Sequence, residues 1–180
     1  FSALEAGLAF LPFTAGIVVG AGLSQRLVPA LGARRVPLIG MGSAVIGLLL
    51  FQRLQPGGEY VSDFLPGVVL TSIGMGLTFV PVTLIATSGI PSDDAGLASG
   101  IYNTSQQIGG ALGLAVLATL AVSATTDTLA GLGREPRPAD QAQALVDGFH
   151  VAYFGSALFI AAAALLLALL VRRPDVEAVA

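Results

Sequence analysis

Five long runs of apolar residues divide the chain, at residues 6–23, 36–51, 64–86, 97–122 and 151–171. Each run is continuous. Continuity fits a helix surrounded by apolar material and does not fit the in-and-out alternation of a barrel strand. A helix needs about 20 apolar residues to cross the hydrocarbon core of a bilayer. The runs have that length or come near it, so the pattern predicts an all-α, polytopic membrane helix bundle of five spans. The second run is the shortest, and draws on Pro37 and Gln52 at its ends or tilts little. Between the fourth and fifth runs, residues 123–149 include GLGREPRPADQAQALVDGF. Its glycines and prolines predict irregular backbone, with Asp140 capping a short helix that leads into the fifth span.

The five runs differ in polarity. The fifth holds a single hydroxyl, and the second is nearly as apolar but carries Gly40, Gly42 and Gly47. The third contains Thr71, Ser72, Thr78 and Thr83, with Pro66 and Pro81. The fourth holds GIYNTSQQIGGALG, residues 100–113, where Asn103, Thr104, Ser105, Gln106 and Gln107 follow one another. This ranking sets spans two and five on the outside, and spans three and four against protein or water.

At helical spacing Asn103, Gln106, Gln107, Gly110 and Gly113 share one broad face. Gly16 and Gly20, Gly96 and Gly100, and Gly109 and Gly113 are GxxxG pairs, which let two helix backbones approach closely. The amides have two readings, bonds across to a neighbouring helix or the lining of a cavity. An interhelical bond of this kind contributes about 0.6 kcal/mol on average. An unsatisfied amide in hydrocarbon costs roughly 2–7 kcal/mol. The difference favours a water-filled cavity or ligand path, where hydration removes the penalty.

Composition narrows the class. Hydrophobic residues make up 54% and charged residues 11%, with a mean hydropathy of +0.85. A soluble domain carries about 25% charge to hydrate its surface, so the chain reads as an integral membrane protein. The net charge of −3, with no basic run, argues against a nucleic-acid partner. There is no cysteine for disulfides or thiolate metal sites, and every basic residue is Arg. The sequence opens at Phe1 without a charged segment ahead of its first apolar run, and is expected to be a piece of a longer protein.

The arginines predict orientation. Arg26, Arg34 and Arg35 lie between spans one and two, and Arg172 and Arg173 follow span five, against Arg53, Arg134 and Arg137 on the other side. A positive-inside bias puts the C-terminus in the cytoplasm and residue 1 outside. No ionisable side chain lies deep in any span. Asp93 and Asp94, just before span four, can cap that helix. They are the only adjacent acidic pair, and a membrane transferase would need a second cluster to hold a metal and pyrophosphate. The reading is therefore no enzyme, no metal and no cofactor.

The segments SALEAGLAFLPFTAGIVVGAGLSQRLVPALGARRVPLIG, GMGLTFVPVT and DDAGLASGIYNTSQQIGGALGLAVLATL resemble the major facilitator superfamily. More closely, they are similar to the C-terminal part of its fourteen-span drug:proton antiporters, the EmrB/QacA type. The most specific piece is matched by Gly100, Asn103, Thr104, Gln107, Gly109, Gly110, Ala111 and Gly113. The resemblance implies that the five spans belong to a C-terminal six-helix bundle. The first helix of that bundle, two central helices and an N-terminal bundle would lie upstream. It also implies alternating access in the plasma membrane, with protons as coupling ion and a hydrophobic small molecule as substrate. On that reading Asn103, Gln106 and Gln107 offer adaptable hydrogen bonds, while Thr78, Phe79 and Tyr102 offer polar or aromatic surface. Pro81 and the glycines of span three permit bending. The loop GLSQRLVPALGARR resembles the family's cytoplasmic loop motif through Gly22, Arg26, Gly32, Arg34 and Arg35. Gln25 stands where the N-terminal version carries Asp, so these arginines either serve gating or anchor topology. An uptake permease and a non-transporting scaffold or sensor subunit are the alternatives.

Overall fold

The computed structural model describes residues 3–87 and 89–171. Arg172 and Arg173, and with them the C-terminal part of the orientation argument, lie outside the described residues. Six α-helices follow in order: α1 (Ala3–Ala9), α2 (Leu11–Leu31), α3 (Arg35–Leu50), α4 (Leu65–Thr87), α5 (Ala95–Ala130) and α6 (Pro138–Leu170). The described residues contain no strand. Five helices are long and apolar enough to cross a membrane, and α1 is a short lead-in to α2.

The helix ends differ from the apolar runs. α2 continues past Leu23 through Ser24, Gln25 and Arg26, passes Pro29 and stops at Gly32. Gly32 has φ +88°, a left-handed conformation that strains any residue with a Cβ, and its N–H bonds to the Val28 carbonyl at 2.8 Å. α5 reaches Ala130 and α6 begins at Pro138, so the expected irregular segment shrinks to residues 131–137. The 36 residues of α5 measure about 54 Å at 1.5 Å per residue. A hydrocarbon core is about 30 Å thick, so α5 and α6 together reach beyond it as a helical hairpin.

That hairpin is held by packing. Ala144 is fully buried, and a Cβ on Gly148 would meet Thr125 Oγ1 and the Ala121 carbonyl. Asp140 stands in the first turn of a long helix. Its carboxylate accepts the Arg137 N–H at 2.8 Å and the Arg134 guanidinium at 2.7 and 2.9 Å. At the start of α5, Asp94 occupies the N-cap position but makes no side-chain cap bond. Its charge still lies beside the positive helix end.

α4 is the centre of the bundle, with α2 on one side and α3 on the other. Small residues allow this. A side chain at Gly20 would run into the Ile73 carbonyl, and one at Gly16 into Ser72. On the other flank Gly40 faces the Gly74 carbonyl, and Gly47 faces Thr71. Backbone therefore meets backbone, as in close transmembrane crossings. The polarity ranking set span two outside; α3 leaves Ile39, Ile46 and Leu49 exposed on one face and packs the other closely. α3 buries Val36, Pro37, Gly40, Ala44, Gly47 and Leu48, whereas α5 buries no residue fully. Contact between membrane helices follows side-chain size more than polarity, because lipid is as apolar as leucine.

Two apolar clusters close the ends of the bundle. Val28, Ala33, Val36 and Leu77 pack at the α2–α3 turn, joined by Val171. Leu48, Phe51, Val68 and Ala157 pack at the opposite end, where the Phe51 ring lies 4.6 Å from Tyr153 and 5.2 Å from Phe64. There the chain after α3 also clasps α6. Gln52 Nε2 donates to the His150 carbonyl at 2.8 Å, and His150 Nε2 donates to the Leu54 carbonyl at 3.1 Å.

Candidate functional site

The candidate residues fall on two helices. On α5, Asn103, Gln106 and Gln107 are exposed, and none of their amides has a hydrogen-bond partner among the described residues. α5 packs along α6 and barely touches α4, so this polar face is turned away from the chain's own core. Gly109, Gly110 and Gly113 continue it. A Cβ on any of them would meet nothing within 4 Å. Both GxxxG pairs of α5, Gly96 with Gly100 and Gly109 with Gly113, are thus open, while Gly16 and Gly20 are closed against α4.

On α4, Thr78 and Phe79 line a cavity of about 460 Å³ between α2, α3, α4 and α6. Its other walls are Ile17, Met41, Ala44, Met75, Ile160 and Ala163. Such a volume falls within the range of small-molecule pockets, roughly 300–1,000 Å³. The wall is almost wholly apolar, and Thr78 does not change that. Its hydroxyl donates to the Gly74 carbonyl at 2.7 Å, with the Pro37 carbonyl at 3.4 Å, so no proton is left for a guest. The cavity offers dispersion and hydrophobic contact, and no specific hydrogen bond.

Met41 and Met75 were not singled out in the sequence, although they are the chain's only methionines. One signal was available. Ile-Gly-Met-Gly occurs twice, at residues 39–42 and 73–76. The two copies lie on neighbouring helices, Gly40 meets Gly74 across the contact, and both methionines line the same cavity. Methionine is unbranched and polarizable, which suits a surface that must adapt to guests of different shape.

Tyr102 links the two helices. Its hydroxyl lies 2.9 Å from Thr83 Oγ1, next to Pro81 in α4. Pro81 is buried and supplies no N–H, so the Leu77 carbonyl lacks its helical donor and α4 can bend there.

The loop-motif residues separate as well. Gly22 and Arg26 lie on α2, with nothing near a Cβ at Gly22 and with Arg26 exposed. Gly32 ends α2. Arg35 is exposed at the start of α3, but Arg34 reaches across the bundle and donates Nη2 to the Ala168 carbonyl in the last turn of α6. It thereby gives a carbonyl of the last helical turn a charged side-chain donor.

A family model described as Major Facilitator Superfamily matches residues 1–114. The puromycin resistance protein of Streptomyces alboniger is 36% identical over 155 residues, covering 84% of this chain and 30% of that protein. The cephamycin export protein of Amycolatopsis lactamdurans is 36% identical over 167 residues, covering 92% of this chain and 32% of that protein. A multidrug resistance protein of Mycobacterium tuberculosis is 32% identical over 123 residues, 68% of this chain and 22% of its own length. The chain thus spans about a third or less of the length of these curated relatives.

Proposed function

The chain belongs to the major facilitator superfamily, and we propose that it is part of a secondary transporter that exports hydrophobic or amphipathic compounds. The observation that carries this reading is the set of amides at Asn103, Gln106 and Gln107, without partners among the described residues on a helix otherwise fit for lipid. Three bare amides in hydrocarbon would be costly, so they face water or a guest. The names of the relatives, which speak of export and of resistance to puromycin and other drugs, support the direction of transport.

On this reading the five spanning helices belong to a C-terminal bundle. A further helix of that bundle and the whole facing bundle come from the rest of the protein. Alternating access then rocks the two bundles about a cavity bordered by α5. Protons are the coupling ion, and the titrating carboxylate lies in the other bundle. The amide face adapts its hydrogen bonds to varied polar groups, while the methionine-lined cavity accepts an apolar part. The α2–α3 turn, with its arginines, lies on the cytoplasmic side and the α5–α6 turn outside.

The test is the double variant Asn103→Ala with Gln107→Ala in the full-length transporter. Export of puromycin and of a quinolone should fall while the protein's level in the membrane stays normal. Unchanged export would remove α5 from the substrate path. Inward transport by the wild type would instead favour an uptake permease. No transport of any compound offered would favour a scaffold or sensor.

A further inference from the structure

Tyr102 and Thr83 form the one side-chain hydrogen bond between α4 and α5 among the described residues. Its direction follows from counting protons. Thr83 has a single hydroxyl proton, which it gives to the Phe79 carbonyl at 2.8 Å. Tyr102 must therefore donate, and Thr83 Oγ1 accept, across the 2.9 Å to its neighbour. The result is a directed chain from the Tyr102 hydroxyl through the Thr83 hydroxyl to the Phe79 carbonyl. In a low-dielectric setting successive bonds of this kind polarise and strengthen one another.

Each end of the chain sits on a candidate substrate surface. The Phe79 ring is a wall of the methionine-lined cavity. Tyr102 directly precedes Asn103 and lies one helical turn from Gln106. Between them α4 is soft. Pro81 breaks its hydrogen-bond ladder, and the hydroxyls of Thr78, Thr83 and Thr87 bond back to carbonyls four residues earlier, a pattern that bends helices. Apart from this bond α5 barely touches α4, and the two are otherwise joined through the packing of α5 on α6, of α6 on α3 and of α3 on α4.

We infer that Tyr102 and Thr83 are a positioning pair, which ties the bend of α4 at Pro81 to the setting of the amide face on α5, so that the apolar cavity and the polar face respond to a guest together. The consequence for transport rests on the proposed export function, whereas the mechanical link does not. Tyr102 acts in this through its hydroxyl, and its ring need not touch substrate.

The experiment uses the full-length protein, purified, with spin labels on cysteines replacing Ile39 of α3 and Leu97 of α5, both exposed. α3 serves as reference because it is packed backbone to backbone on α4. Tyr102→Phe and Thr83→Val should each shift the label distance to longer values and broaden it. The double variant should add nothing to either, and Thr83→Ser, which keeps the hydroxyl, should restore the parent distribution. An unchanged distribution in Tyr102→Phe, or additive shifts in the double variant, would overturn the inference. If the distances respond as stated while the wild type exports nothing, the transport reading fails and the positioning pair stands.

Discussion

Arg34 completes the end of α6. The Ala168 carbonyl lies in the last turn of α6, and the guanidinium supplies a charged donor at the negative end of the helix dipole. A hydrogen bond to a charged group contributes about 1.5–3 kcal/mol. Arg34→Ala should therefore lower the thermal stability of the purified full-length protein by about 2 kcal/mol. Arg26, exposed on α2, should change it by no more than about 0.5 kcal/mol when replaced by Ala. Melting curves of the two variants decide the matter, and equal curves would mean that the α6 cap contributes nothing. In the sequence the two arginines looked alike, as members of one loop motif. What separates them is a partner 134 residues away, and no local pattern announces that.

At the scale of the helix, α4 combines close packing with a built-in defect. Its glycines press it against α2 and α3 along most of its length, and Pro81 leaves the Leu77 carbonyl without a helical donor near one end. Pro81→Ala would supply that donor and remove a helix penalty of up to about 3 kcal/mol. The variant should melt no earlier than the parent protein yet transport more slowly, measured as initial efflux rate at equal membrane level. Transport at the parent rate would show that bending at this point plays no part. The helices themselves were legible, because a continuous apolar run of this length, with no alternation, suits a membrane-crossing helix and little else. Their ends were not. Thr125, Thr126 and Asp127 are too polar for a hydropathy run, but they continue α5 once outside the hydrocarbon, the two threonines with hydroxyls bonded to the Ala121 and Val122 carbonyls. The close packing of one face of α3 was not legible for a related reason. Polarity ranks exposure to water, whereas Gly40 and Gly47 govern how closely another backbone can come. Of the candidate site, the amides stood out as polar residues in an apolar run. The cavity did not, because a methionine that lines a pocket and one that fills a core read the same.

For the whole molecule, the two loops at opposite ends of the bundle give the topology a direct test. With a single cysteine placed at Glu135 in the α5–α6 turn, which is exposed, a membrane-impermeant maleimide should label intact cells. With the cysteine at Ser92, before α5, labelling should require broken cells. The reverse pattern would invert the proposed orientation and, with it, the side from which the amide face is first reached. The bundle also divides unevenly. α2, α3 and α4 are bound backbone to backbone, α5 and α6 form a hairpin, and the two groups meet chiefly where α3 touches α6. This arrangement bears on how the chain is made. A ribosome delivers α2, α3 and α4 in succession, and the glycine contacts among them need nothing translated later. The α5–α6 pair can then enter the bilayer as a unit with its own internal contacts. The last turn of α6 brings Ala168 within reach of Arg34, so a segment synthesised after α2, α3 and α4 closes a clasp across a scaffold already in place.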